Sequence, residues 1–237
     1  MEVEHLKKEQ ITAAAELVLT EFATDFDWER ALPVPVEDIL ECYLDVTLEF
    51  GNLQEMLGGI DILAASWIQE KRVVVDDSLD PAEVKHNEGR YRFTVAHEIG
   101  HWVLHTPFLQ EQRLLPTSFD GTGASVICRS NDYREPREWQ ADYFASNLLL
   151  PEKLVMQEWE RIFGNTTPQD ITVELGKKQE HWGSPHSGYA HCCDIARLLA
   201  KPFGASATAT QYRLWQLGLL QVHDTPETLP STQIDNF

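Results

Sequence analysis

His97, Glu98 and His101, in the run HEIGH, are the residues of this chain whose types and spacing could hold and use a metal ion. On an α-helix, residues four apart lie on one face, with Cβ atoms about 5–6 Å apart. Two imidazole nitrogens can therefore meet one zinc ion. Glu98 falls beside them, where a carboxylate can reach a water held by that ion. Hydrolysis, most often of a peptide bond, is the chemistry of such a site. The surrounding run, RFTVAHEIGHWVLH (92–105), carries Phe93, Ala96, Ile99, Gly100, Val103 and Leu104 at helical spacing. A glycine inside a helix costs about 1 kcal/mol relative to alanine. Gly100 at that place predicts close approach of another backbone or a ligand.

Two histidines do not complete a catalytic zinc site; a third protein ligand is needed, with one position left for water. The all-histidine pattern H-E-x-x-H-x-x-G-x-x-H is excluded, because Leu104 and Pro107 stand where its Gly and His belong. His105 continues the four-residue series one turn further. Three histidines on consecutive turns of one straight helix cannot converge on a tetrahedral ion. His105 therefore reads as a structural residue or as one that supports a ligand from behind.

A carboxylate from a second helix is the other option. In REWQADYFASNLLLP (137–151), Trp139, Phe144, Ala145, Leu148 and Leu149 form an apolar helical face, and Pro151 marks its stop. Glu138 and Asp142 lie four apart on one side. Glu138 can ligate the metal, and Asp142 can accept the N–H of a ligating histidine and so fix its tautomer and ring direction. Taken alone, the same pair also reads as the solvated edge of an amphipathic helix.

HEIGHWVLH followed by EWQADYFASNLLLP resembles the ImmA/IrrE family of metallopeptidases. The family pattern is H-E-x-x-H, then E-x-x-A-N/D-x-F-A-x-x-L-L-x-P. Glu138, Ala141, Asp142, Phe144, Ala145, Leu148, Leu149 and Pro151 match it in register, and Leu150 replaces the usual Met. PVPVEDIL (33–40), DVTLEF (45–50), RVVVDDSL (72–79) and RYRFTVAHE are similar to the family's approach to the zinc helix, so the resemblance covers roughly residues 30 to 151 well. It implies His97, His101 and Glu138 as zinc ligands and Glu98 as catalytic base. It also implies a protein substrate, typically a helix-turn-helix repressor whose cleavage induces genes of a mobile element or a stress response.

The elements that must position these residues follow from periodicity and turn signals. Residues 3–22 and 36–44 predict helices. Strands are expected near 45–50, 60–66 and 71–76, with Gly58-Gly59 turning between the first two. The fold class expected is α+β: a zincin-like core with a small three-stranded sheet packed on the zinc-bearing helix, plus C-terminal helices like a helix-turn-helix. Between the two ligand helices, 106–135 is rich in Pro, Gly, Ser and Asp, with a strand-like SVICR at 125–129. A loop this long is usually functional or mobile, and it could wall a substrate cleft. Residues 152–163 predict a short helix, HWGSPHSGYAHCC (181–193) is irregular, and 194–220 read as helix, turn, helix. The expected domains are 1–165 (metallopeptidase), 166–222 (helical, helix-turn-helix-like) and 223–237 (a polar, disordered tail).

Composition narrows the function classes. At 237 residues, with 43% hydrophobic residues, a core of ordinary size is available. No run of about 18 apolar residues is present, so no membrane span is expected. The N-terminal MEVEHLKKEQ lacks a signal-peptide apolar region, and a cytoplasmic setting is the expectation. Cys42, Cys128, Cys192 and Cys193 show no C-x-x-C spacing, in keeping with that compartment. A second metal site from Cys192, Cys193 and nearby histidines matches no recognised zinc spacing. A net charge of −19 argues against direct nucleic-acid binding, as does the supply of only Lys201 and Arg213 as basic residues between 198 and 220.

The function expected is a zinc-dependent endopeptidase of the gluzincin type, with a zinc-activated water and Glu98 as general base. His181, His186, Tyr189 and His191 are candidates, by chemistry only, for stabilising the oxyanion. The alternative is a non-catalytic regulatory or toxin–antitoxin-type interaction protein with a structural zinc. A fourth protein ligand, such as His105 or a Cys, would mark that version.

Overall fold

The computed structural model describes residues 6–59, 61–84, 87–107, 126–129, 135–170 and 187–221, with backbone alone for 126–129 and 187–191. The chain divides into two compact units, Met1–Leu149 and Leu150–Phe237. The fold is mixed α+β and mostly helical.

The first unit opens with helix α1 (Lys8–Asp25), whose start is held by the Lys7 N–H donating to Gln10 Oε1. Ile11, Ala15, Val18, Leu19 and Phe22 form its buried stripe, at the spacing that puts one helical face against a core. Helix α2 (Val36–Asp38) runs on into a π-helical turn, Ile39–Tyr43. Strand β1 (Thr47–Gly51) follows, then α3 (Leu53–Leu57), β2 (Ile62–Trp67) and β3 (Arg72–Asp76). Helix α3 is absent from the sequence-based expectation of a plain Gly58-Gly59 turn. Asn52 caps it by accepting from the Glu55 N–H, and Gly58 ends it at φ 69°, a left-handed conformation that favours glycine.

The three strands expected between 45 and 76 pair in one sheet, and the SVICR run adds a fourth, β4 (Val126–Arg129). The order is β1-β3-β2-β4. β1 runs parallel to β3, and β2 lies antiparallel to both β3 and β4. Alternation along β2 sorts its side chains. Ala65 and Trp67 join Leu53, Ile62 and Val74 in a buried cluster under α3. Ser66, on the opposite face, reaches helix α4 (Glu88–Leu104). That helix packs on β2 and β3, and its other sides meet α1 and helix α5 (Pro136–Leu149).

Residues 94–101 of α4 are buried without a break, so the helix is enclosed rather than amphipathic. Phe93, Val103 and Leu104, assigned by periodicity to the buried stripe, are only half-buried; Tyr91 and Val95 carry core packing in their place. Arg92 anchors the helix start by donating to the Val34 carbonyl.

The second unit contains α6 (Glu152–Phe163), α7 (Ser187–Phe203) and α8 (Ala207–Gln216), with a short parallel pair of β5 (Gln169–Asp170) and β6 (Leu220–Gln221). Helix α6 matches the expected 152–163. α7 and α8 pack on each other in the expected helix, turn, helix order, with Ser206 capping α8 at the Ala209 N–H. Two details differ. α7 begins at Ser187, so GYAHCC is helical rather than irregular. Leu198, at helical spacing with the apolar Ile195 and Leu199, is 57% exposed rather than buried. Arg213 is buried and donates to the Leu150 carbonyl, which removes it from any phosphate-facing role. Among the described residues no helix is long and apolar enough to cross a membrane.

Candidate metal centre

Helix α4 carries His97, Glu98 and His101 across one turn; α5 carries Glu138 and Asp142 across another. What brings the two helices together is the missing side chain at Gly100. A Cβ there would stand 3.1 Å from the Ala141 Cα and carbonyl oxygen and 3.2 Å from the Phe144 ring. The close approach that a mid-helix glycine predicts is therefore present, and its partner is the backbone of Ala141. Glu138 lies one turn before Ala141, which carries its carboxylate to the two imidazoles.

His97 Nε2 lies 2.9 Å from His101 Nε2 and 3.2 Å from Glu138 Oε2, and His101 Nε2 lies 3.4 Å from Glu138 Oε1. One ligand atom from each of the three residues falls within 4.8 Å of the others, an arrangement that could hold a metal ion. Both histidines are almost fully buried. Burial alone would raise the pKa of Glu138. Hydrogen bonds from His101 and His97, with their charges, outweigh it and hold the carboxyl well below the usual carboxylate range. The group is thus ionised, as a ligand must be.

The donor set suits zinc: two imidazole nitrogens and one carboxylate oxygen, with nothing else among the described residues joining the group. The outer partners fit as well. His97 Nδ1 lies 2.7 Å from Asp142 Oδ1, the arrangement anticipated for Asp142. Glu98 is fully buried. Its Oε2 accepts from Ser66 Oγ at 2.5 Å, and Ser66 Oγ in turn accepts from Trp102 Nε1 at 3.2 Å. Its Oε1 is buried with no hydrogen-bond partner among the described residues. A buried carboxylate oxygen without a partner, on the residue that follows His97, is a place that a bound water would satisfy.

His105 is not a fourth ligand. Its Nδ1 meets His101 Nδ1 at 3.0 Å, on the side of that ring away from His97 and Glu138, and its Nε2 meets Gln140 Oε1 at 3.1 Å. Burial and then the facing His101 hold its pKa down to about 3, so the ring is neutral at physiological pH. Cys192 and Cys193 belong to α7. Burial pushes the Cys192 thiol up to about 11, which leaves it unreactive at neutral pH. His181 and His186 lie outside the described residues, as do the side chains of Tyr189, His191 and Cys128.

Ser66, Trp102 and Gln140 are absent from the sequence-based site. A signal exists for one of them: Ser66 is the lone hydroxyl in the apolar run ILAASW. Gln140, flanked by Glu138 and Asp142, offers no pattern that separates it from surface polar residues.

The fold and the site define a protein with a buried His-His-Glu group on two crossing helices beside a small sheet. The family model of Peptidase_M78, described as the IrrE N-terminal-like domain, matches residues 82–214, more than half of the chain. The chain belongs to that family, the ImmA/IrrE metallopeptidases. A comparison with curated proteins finds no match.

Proposed function

We propose that this chain is a zinc-dependent endopeptidase of the gluzincin type, with His97, His101 and Glu138 as ligands and Glu98 as general base. The observation that carries the reading is the convergence of His97 Nε2, His101 Nε2 and a Glu138 carboxylate oxygen in one buried place. The unpaired, buried Oε1 of Glu98, the residue after His97, supports it. Bound zinc would polarise the scissile carbonyl and lower the pKa of a coordinated water.

The chain's own residues do the rest. Glu98 takes a proton from the attacking water through Oε1 and passes it to the leaving amine. Ser66, held by Trp102, occupies Oε2 and so turns the other oxygen to the reaction. Asp142 holds His97 by its Nδ1 proton. Burial keeps bulk water from competing.

The substrate in this reading is a regulatory protein, a helix-turn-helix repressor by analogy with the family, and the setting is cytoplasmic. The structural-zinc alternative gains no support, since no fourth protein ligand joins the group among the described residues.

Elemental analysis of wild type beside His101→Ala and Glu138→Ala tests the reading. About one zinc per chain, lost in both variants, is the expected result for a three-ligand site. Glu98→Gln should keep zinc and lose cleavage of a co-expressed repressor. No zinc in reconstituted wild type, or full retention in Glu138→Ala, would overturn it.

A further inference from the structure

A short hydrogen-bonded path leads from the surface to the proposed base. Trp102 Nε1 donates to Ser66 Oγ at 3.2 Å, and Ser66 Oγ donates to Glu98 Oε2 at 2.5 Å. Ser66 and Glu98 are buried, whereas Trp102 is partly exposed. Residues 94–101 of α4 are buried without a break, so Trp102 is where that helix first reaches solvent beyond the candidate ligands. We propose that the Trp102 ring is a specificity-determining wall of the peptide site. It takes a large apolar side chain of the substrate next to the cleaved bond, while its N–H holds Ser66 against Glu98. The inference rests on the peptidase reading above and names the substrate side chain that this site selects.

Helix geometry places the ring. Trp102 follows Glu98 by four residues, so the two side chains share the face of α4 that Ser66 of β2 meets. A peptide held with its carbonyl at Glu98 sets its neighbouring residues about 3.5 Å to either side. Trp102 stands two hydrogen bonds from Glu98, within reach of such a neighbouring side chain.

The chemistry of the ring sets the class. An indole has one polar atom, a donor, and here it points inward to Ser66. What is left for solvent is carbon surface, which gains from apolar burial and ring contact and offers a carboxylate no partner. An acidic side chain at this place would also meet the like charges of Glu98 and Glu138.

The probe is a set of blocked hexapeptides that differ at one position, which is Leu, Phe, Lys, Asp or Gly. Each is titrated into zinc-supplemented Glu98→Gln protein carrying fluorotryptophan, with the fluorine resonance of Trp102 assigned by its loss in a Trp102→Phe, Glu98→Gln double variant. The Leu and Phe peptides should shift that resonance and bind about 10–100-fold more tightly than the Gly peptide. With otherwise wild-type protein, mapped cleavage of denatured casein should fall beside large apolar residues. Trp102→Ala should lose that preference. Trp102→Phe keeps a ring and drops the N–H, so it should keep the preference, hold KM and lower kcat about 10-fold. A merely structural Trp102 would lower the melting temperature of Trp102→Ala and leave the preference in place. A Trp102 resonance that no peptide moves, equal or stronger binding of the Lys, Asp or Gly peptide, or an apolar preference kept in folded Trp102→Ala overturns the inference. If wild type cleaves no casein, the peptidase reading fails that test, while the fluorine titration still decides whether the indole is a peptide subsite.

Discussion

The hydroxyl of Ser66, on strand β2, donates to Oε2 of Glu98, on helix α4, at 2.5 Å, and both residues are buried. The bond ties the sheet to the helix of His97 and His101 at the residue proposed as base. A buried carboxylate that loses a donor bears most of its desolvation cost.

Ser66→Ala should therefore destabilise the protein by about 1–3 kcal/mol. Urea melts read through tryptophan fluorescence would measure this. A loss under about 0.5 kcal/mol would place the variant with ordinary surface substitutions and leave the bond without weight.

Gly100 faces the Ala141 backbone so closely that a Cβ there would need its neighbours to give by a few tenths of an ångström. Alanine there would gain about 1 kcal/mol in helix propensity. It would also force the two ligand helices apart, at about 1–3 kcal/mol. Gly100→Val should exceed Gly100→Ala in cost, and both should weaken zinc binding by displacing Glu138. A Gly100→Ala variant more stable than wild type, with wild-type zinc affinity, would contradict the crossing.

In the proposed reading zinc binds the folded state through groups that the unfolded chain does not bring together. Removal by chelation should lower thermal stability, by about 4 kcal/mol where free zinc stood at a thousand times Kd. Asp142→Asn should keep the fold and bind zinc about 10-fold more weakly, because the His97 partner loses its charge. Calorimetry with and without chelator checks both.

The metal-free protein should be acid-labile in a defined window. His105 has a folded pKa of about 3 against an ordinary 6.5. Between those values the unfolded chain binds a proton that the folded protein does not, so stability falls as pH drops below about 6.5. At pH 5 the loss is on the order of 2 kcal/mol. Glu138 acts at lower pH: its depressed pKa contributes stability above 4.5 that is lost as pH falls through the folded value. Melting temperatures between pH 7 and 5 should fall more steeply in wild type than in His105→Leu.

What the sequence by itself determined is local. His97, Glu98 and His101 converge because 3.6 residues per turn puts the two histidines on one face and Glu98 beside them, whatever the helix packs on. The same rule places Glu138 and Asp142 on one side of α5. Alternation and turn residues locate the strands between 45 and 76.

Tertiary structure decided the rest. Glu138 stands 3.2 Å from His97 across 41 residues of chain, because Gly100 lets α5 approach. Ser66 reaches Glu98 from 32 residues upstream, because β2 turns that face to α4. The place of β4 beside β2 and the parallel pairing of β1 with β3 are register choices between distant segments. Gln140 looks like a surface polar residue until packing buries it against His105. Periodicity states which residues share a face; it does not state what that face meets, because that depends on which distant surfaces pack without voids or unpaired polar groups.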